Sequence, residues 1–136
     1  MPFVLDSSMT MAWCFPDEVT PFTESVLGQL RMTGALVPAI WPLEVLNVLL
    51  VAERQSRLML VAAREFIDDL ETLPITIDAL ERGRVFREVL ALGREQNLTA
   101  YDAAYLELAR REGLPLATLD RDLREAAMRV GVPLVQ

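Results

Sequence analysis

Residues 98–120 read LTAYDAAYLELARREGLPLATLD and contain a helix start, a helix stop and a short strand in one segment. Asp102 lies near the start of the predicted helix, and Gly113 and Pro115 end the helix before an apolar run that closes at Asp120. In a parallel sheet, a helix that leads into the next strand begins at the edge where the strands end. We therefore expect Asp102 and Asp120 along the same edge of a sheet.

The rest of the chain alternates short apolar segments with helical patterns. The predicted strands are residues 3–5, 35–37, 75–77 and 116–118, with 133–135 as a marginal fifth. Helices are predicted at residues 7–15, 21–32, 42–54, 58–70, 79–96 (bent near Gly83), 99–111 and 121–129. This alternation predicts an α/β fold with a mainly parallel central sheet of four to five strands flanked by helices. No repeat or linker interrupts the pattern, so we expect a single domain over residues 1–136.

The amino-acid composition excludes several classes of chemistry. The chain has no His and one Cys, which rules out Ser-His-Asp triads, His-ligated zinc, thiolate zinc sites and iron–sulfur clusters. An enzyme with this composition must rely on carboxylates, hydroxyls, Tyr or Arg.

Location is predicted from the same composition. Cys14 is alone, so no intramolecular disulfide forms, which favours a cytoplasmic protein. The N-terminus has no basic region typical of a signal peptide. No apolar run approaches the roughly 20 residues that span a bilayer, so we expect no membrane association.

The charge pattern limits how the chain can meet a nucleic acid. A net charge of −7 argues against a broad nucleic-acid-binding surface. All 13 basic residues are Arg, a side chain suited to bidentate phosphate contact, although Arg-only usage also follows from genomic base composition.

Four acidic residues map to the carboxyl edge of the predicted sheet. Asp6 and Asp120 follow strands, whereas Glu44 and Asp102 open helices, and ligands bind at this edge in doubly wound folds. Taken singly, each acid also has a structural interpretation. Asp6 and Asp120 can cap helices, Asp102 can form a capping box with Thr99, and Glu44 suits a helix dipole.

Four converging carboxylates predict a bound cation. Their mutual repulsion forces at least one to take up a proton unless a cation lies between them. Oxygen ligands without His or Cys suit Mg²⁺ or Mn²⁺, with one or two ions compatible with the charge. Such a site can polarise a phosphodiester and activate water without any His.

Three polar residues are candidates to hold these carboxylates in place. Ser8 and Thr118 offer hydroxyls at strand ends, and Asn47 lies one turn after Glu44 on the same helix face. The alternative is that the hydroxyls satisfy backbone groups and that Asn47 is an ordinary surface residue.

Basic and aromatic residues near the third and fourth acids are candidate contacts for a nucleic acid. Arg121 and Arg124 flank Asp120 and are the best candidates for phosphate contacts, with solvated helix charges as the alternative. Tyr101 and Tyr105 lie one turn apart and can stack on bases, but packing is the favoured interpretation.

Four motifs together resemble those of the PIN-domain ribonucleases of the VapC toxin type. They are VLDSS at residues 4–8 with AW at 12–13 and PDE at 16–18, EVLNVL at 44–49, LTAYDAAY at 98–105 and LATLD at 116–120. Each motif is loose by itself, but four in this order and separation are fairly specific, and they cover essentially the whole chain.

The resemblance implies a PIN-like three-layer domain and a Mg²⁺-dependent endoribonuclease, the toxin of a toxin–antitoxin pair. It implies a homodimer, neutralised by a small antitoxin. It also implies that Asp6, Glu44, Asp102 and Asp120 bind the metal and that Thr118 supplies the strand-end hydroxyl. The absence of Lys and the net charge of −7 are not typical of a protein that binds RNA strongly. They favour a narrow RNA path lined by Arg over a broad basic surface.

Two other functions remain open from the sequence. A non-catalytic PIN-like module that binds a protein partner is suggested by the hydrophobic content of 52%. A receiver-like phosphoacceptor domain also gathers acids at a sheet edge, but it needs a Lys near the site, and the chain has none. We rank the receiver-like domain last.

Overall fold

A parallel sheet of four short strands forms the centre of the computed structural model, which describes residues 1–136. The strands are β1 (Phe3–Leu5), β2 (Ala35–Val37), β3 (Ile75–Ile77) and β4 (Leu116–Ala117). They lie in the order β3-β2-β1-β4, and each neighbouring pair is parallel. The prediction of a parallel α/β sheet is therefore confirmed.

Helices connect the strands and flank the sheet, giving three layers. They are α1 (Ser7–Ala12), a 3₁₀ helix (Pro16–Glu18), α2 (Pro21–Thr33), α3 (Trp41–Arg54), α4 (Leu60–Glu71), α5 (Arg82–Arg84), a π-helical turn (Val85–Val89), α6 (Leu90–Gln96), α7 (Ala100–Glu112) and α8 (Arg121–Val130). None of them is long and apolar enough to cross a bilayer.

Three predicted elements differ from the structure. The helix predicted for residues 7–15 ends at Ala12. The helix predicted from residue 79 begins at Arg82, and its irregular part is the π-helical turn Val85–Val89, beyond the bend expected near Gly83. The marginal strand at 133–135 is reduced to a single bridge between Leu134 and Leu116. Pro133 has no N–H to donate, and this limits pairing at that end of the sheet.

The central strand β1 positions the candidate site. All three of its side chains are fully buried because helices cover both faces of the sheet. They belong to a core of 28 buried residues, and each large side chain in such a core contributes about 1.5–3 kcal/mol relative to exposure. This packing fixes the point at which the chain leaves β1 and enters Asp6.

Candidate active site

Asp6 lies directly after β1 and is almost completely buried, with 3% of its surface exposed. Its Oδ2 accepts hydrogen bonds from Ser8 Oγ and Thr118 Oγ1, each at 2.6 Å. Its side chain makes no capping hydrogen bond to α1, so capping does not explain this acid. Burial raises the pKa of Asp6, and the two hydroxyl donors partly offset that effect.

Two hydroxyls tie the loop after β4 to Asp6. Thr118 Oγ1 also accepts the N–H of Asp120 at 3.0 Å, and Ser8 Oγ accepts the N–H of Leu119 at 2.9 Å. The two hydroxyl oxygens, Ser8 Oγ and Thr118 Oγ1, lie 3.2 Å apart. The two hydroxyls therefore orient the Asp6 carboxylate and also accept hydrogen bonds from backbone N–H groups. The positioning role and the backbone role considered for Ser8 and Thr118 are compatible.

Asp102 lies in the first turn of α7, whose N-cap is Thr99. Thr99 Oγ1 accepts the N–H of Asp102 at 3.1 Å, which leaves the Asp102 carboxyl free to face the sheet edge. Burial raises the pKa of Asp102 to about 7, together with the negative charges of Asp120, Asp6 and Glu44. Each of the other three acids thus lies near enough to Asp102 to destabilise its charge.

Asp120 has two contacts of different kinds. Its Oδ1 accepts the N–H of Asp122 at 3.3 Å and so caps α8. Its carboxyl group also lies close enough to that of Asp102 to help raise the pKa of Asp102. Two carboxyl groups in such contact share either a proton or a cation.

Glu44 lies in the first turn of α3 and accepts a hydrogen bond from the Tyr105 hydroxyl to Oε1 at 2.7 Å. Burial raises the pKa of Glu44, and the Tyr105 hydrogen bond opposes that effect. Asn47, expected to hold this carboxylate, is exposed and donates no hydrogen bond to it. The residue that does so is Tyr105, which the sequence interpretation assigned to packing. The sequence places Tyr105 one helical turn after Asp102, on the same face of α7. This position could have indicated that Tyr105 lies near the acids.

Three of the four acids line one groove of about 400 Å³. Asp6, Asp102 and Asp120 share this carboxylate groove with Ser8, Phe15 and Arg57, among others. Glu44 is not on its wall, but the charge of Asp6 raises the pKa of Glu44, and the charge of Glu44 raises the pKa of Asp102. A separate, mainly apolar cavity of about 400 Å³ between α3, α4 and β3 contains none of the four acids.

The two arginines expected to contact phosphate do not line the carboxylate groove. Arg121 is exposed and pairs with Glu125 at 3.2 Å. Arg124 donates from Nη1 to the carbonyl oxygen of Thr118 at 3.0 Å and so braces the end of β4. The arginine on the groove wall is Arg57, which the sequence analysis did not select.

The groups at the site suit a hard divalent cation. The donors are carboxylate and hydroxyl oxygens, the ligands that Mg²⁺ and Mn²⁺ prefer, and the contact between Asp102 and Asp120 concentrates negative charge. No three acidic side chains stand ready around one point. Ser8 and Thr118 both donate to one oxygen of Asp6, and Tyr105 donates to one oxygen of Glu44. Coordination of a metal ion by these acids therefore requires side-chain adjustment or ligation through water.

Comparison with known proteins identifies the family. The family model for the PIN domain matches residues 3–128. The chain is 30% identical over 125 residues to Ribonuclease VapC3 of Pyrobaculum aerophilum, which covers 92% of this chain and 94% of that protein.

Solved structures show the same fold at lower sequence identity. PAE2754 from Pyrobaculum aerophilum is 21% identical, with a TM-score of 0.72 over 93% of this chain and 84% of that chain. FitAcB from Neisseria gonorrhoeae is 17% identical, with a TM-score of 0.67 over 98% of this chain and 96% of that chain. The chain therefore belongs to the PIN domain family, as its four motifs indicate.

Proposed function

We propose that this protein is a metal-dependent endoribonuclease of the VapC toxin type, which hydrolyses RNA phosphodiester bonds with Mg²⁺ or Mn²⁺ at the sheet edge. Asp6, Glu44, Asp102 and Asp120 hold the metal in this proposal. Its similarity to Ribonuclease VapC3 supports the activity.

The observation that carries the proposal is the electrostatic coupling of the four acids. They come from four separate segments, yet Asp120, Asp6 and Glu44 all raise the pKa of Asp102. A fold that only needed helix caps has no reason to bring these charges together, because their repulsion costs stability. A divalent cation removes that cost.

Each part of the site has a role in this reaction. A divalent ion held by these four acids would supply the charge that polarises the scissile phosphodiester, and it would lower the pKa of water so that hydroxide is available as the nucleophile near neutral pH. Ser8 and Thr118 orient Asp6, and Tyr105 orients Glu44. Asp102, on the groove wall with a pKa of about 7, holds a proton near neutral pH when no cation is present.

The test is cleavage of RNA by variants that remove one charge each. Asp102→Asn and Asp6→Asn should abolish cleavage of bulk RNA in Mg²⁺ while the circular dichroism spectrum stays unchanged. Asp68→Asn, which removes an exposed charge on α4 outside the groove, should cleave like the parent. Cleavage by Asp102→Asn at the parent's rate would show that the assignment is wrong.

Partners and location are proposed from the family resemblance. We expect a homodimer, a small antitoxin protein as the cognate partner, and a cytoplasmic location. Apolar side chains on α3 and α4, such as Leu43, Leu46 and Leu60, are exposed and offer area for contact with other chains. Light scattering should give the mass of two chains.

The second candidate function is a non-catalytic PIN-like protein-binding module. The mainly apolar cavity beside α3 and α4 favours it. A folded parent protein that neither cleaves RNA nor responds to divalent ions would support this function over the nuclease.

A further inference from the structure

The backbone turn after α3 brings Arg57 to the carboxylate groove. Ser56 adopts a left-handed conformation with φ of 58°, and the N–H of Arg57 returns to the carbonyl oxygen of Ala52 at 2.8 Å. This turn ends α3 and directs the next side chain toward the 3₁₀ helix 16–18.

Three neighbours hold the Arg57 guanidinium group. Its central carbon lies 3.8 Å from the centre of the Phe15 ring, a cation–π contact. Its Nη2 donates to Glu18 Oε2 at 2.7 Å and lies 3.4 Å from both carboxylate oxygens of Asp17. These contacts restrict a long side chain that otherwise has many rotamers.

Arg57 is the one basic residue on the wall that Asp6, Asp102 and Asp120 share. Its Nε and Nη1 have no hydrogen-bond partner within the protein, since every contact to Asp17 and Glu18 uses Nη2. The guanidinium group therefore keeps donors free for a ligand in the groove.

We infer that Arg57 contacts a backbone phosphate of the RNA in the carboxylate groove and so contributes to substrate binding. This inference rests on the proposed ribonuclease function. A groove lined by acids repels phosphate, and the guanidinium supplies the opposite charge and free N–H donors on Nε and Nη1, either of which can donate to a phosphate oxygen. Arg121 and Arg124 do not line this wall.

Glu18 neutralises part of the positive charge that Arg57 presents to the RNA phosphate, although it binds a different donor, Nη2. Its carboxylate also lines the groove, so it adds repulsion toward the substrate. Removal of the Glu18 charge should therefore strengthen RNA binding, whereas removal of the Arg57 charge should weaken it. A purely structural role for the ion pair predicts the same direction for both changes.

The experiment measures steady-state cleavage of end-labelled bulk RNA in Mg²⁺ by the full chain. Arg57→Gln should raise KM by about tenfold, the scale of one charge-assisted phosphate contact, with kcat within about twofold of the parent. Glu18→Gln should lower KM by up to about fivefold, the limit for a surface ion pair. Arg54→Gln is the control, because Arg54 is an exposed arginine outside the groove and its loss changes the net charge equally.

A second measurement separates phosphate contact from folding. The slope of log KM against log salt concentration should fall by about 0.7 in Arg57→Gln relative to Arg54→Gln. Arg57→Lys keeps the charge but lacks the guanidinium group, and its KM should lie between those of the parent and Arg57→Gln.

The measurements distinguish a wrong inference about Arg57 from a wrong assignment of the ribonuclease function. If the parent fails to cleave RNA, the proposed function and this inference are both wrong. If the parent cleaves and Asp102→Asn does not, but Arg57→Gln has the KM of Arg54→Gln, only the inference about Arg57 is wrong. An increase in KM for Glu18→Gln also overturns it, even if Arg57→Gln does not fold.

Discussion

The side chain of Tyr105 is fully buried, and its hydroxyl donates a hydrogen bond to the carboxylate of Glu44. Glu44 is half-buried, and a partly desolvated carboxylate that loses its donor is destabilised by about 1–3 kcal/mol. The contact thus affects the stability of the fold and also the orientation of one proposed metal ligand.

Tyr105→Phe should lower the free energy of unfolding by about 1–3 kcal/mol and reduce RNA cleavage. Because the Tyr105 hydrogen bond lowers the pKa of Glu44, the acidic limb of the pH–rate profile should move to higher pH. Tyr101→Phe is the matched control, since Tyr101 is 57% exposed, and it should behave like the parent. Urea unfolding and pH-dependent kinetics measure both effects, and an unchanged acidic limb would contradict the role assigned to Tyr105.

At the scale of elements, the junction between α2 and β2 depends on Gly34. This residue ends α2 with φ of 76° and ψ of 172°, a conformation open to glycine but not to other residues. A Cβ at this position would lie 3.1 Å from the carbonyl oxygen of Pro74, directly before β3. The junction therefore lets β2 pair closely with its neighbour.

Gly34→Ala should destabilise the protein by about 1–3 kcal/mol because it adds backbone strain and a close contact. Gly28→Ala makes the same chemical change in the middle of α2, where a Cβ meets nothing within 4 Å. There the free energy of unfolding should rise by up to about 1 kcal/mol, since Ala favours a helix over Gly. Thermal unfolding of the pair should therefore shift in opposite directions, and shifts of the same sign would be inconsistent with the junction as described.

The helix α7 carries two opposite kinds of charged contact. At its N-terminus, Asp102 faces other acids. Near its C-terminus, the buried Glu107 pairs with Arg111 at 2.9 Å and Arg84 at 3.5 Å, and Arg111 also reaches Asp78 at 2.8 Å. The ion pairs connect α7 to the segment after β3, so the charge of Glu107 has two arginine partners whereas Asp102 faces only other acids.

At the scale of the whole molecule, four chain segments meet at one edge of the sheet, and the acids from three of them raise the pKa of the fourth, Asp102. The pKa of Asp102 is about 7 in the folded protein and 3.8 in an ordinary aspartate. Between these values the folded protein binds more protons than the unfolded chain. The contribution of Asp102 to the stability of the metal-free protein should therefore be greatest below about pH 4 and should be lost as the pH rises from about 4 through about 7.

Urea unfolding in EDTA at a series of pH values measures this fall, which should be shallower in Asp102→Asn. Above about pH 7 the Asp102 carboxylate is mostly charged, so Mg²⁺ should stabilise the parent by about 2.7 kcal/mol at 100 times its dissociation constant. The same Mg²⁺ should leave Asp102→Asn nearly unaffected. Equal pH dependence in both proteins would contradict the electrostatic coupling of the acids.

Much of the fold could be predicted because its signals are local. β1, β2 and β3 match the predicted residues, since each is a short run rich in apolar residues with Asp, Gly or Pro at its limits. The π-helical turn Val85–Val89 could not be predicted, because an extra residue in a helical turn leaves no distinct hydrophobic pattern.

The sequence by itself determined the order of the elements, the parallel sheet and the placement of four acids at its carboxyl edge. Those features follow from local periodicity and from the direction that a parallel connection imposes. Tertiary structure alone decided that Tyr105 and not Asn47 holds Glu44, and that Arg57 lines the groove. These contacts join residues 61 and 39 positions apart, and such pairs depend on how packed helices orient their side chains, which no local pattern encodes.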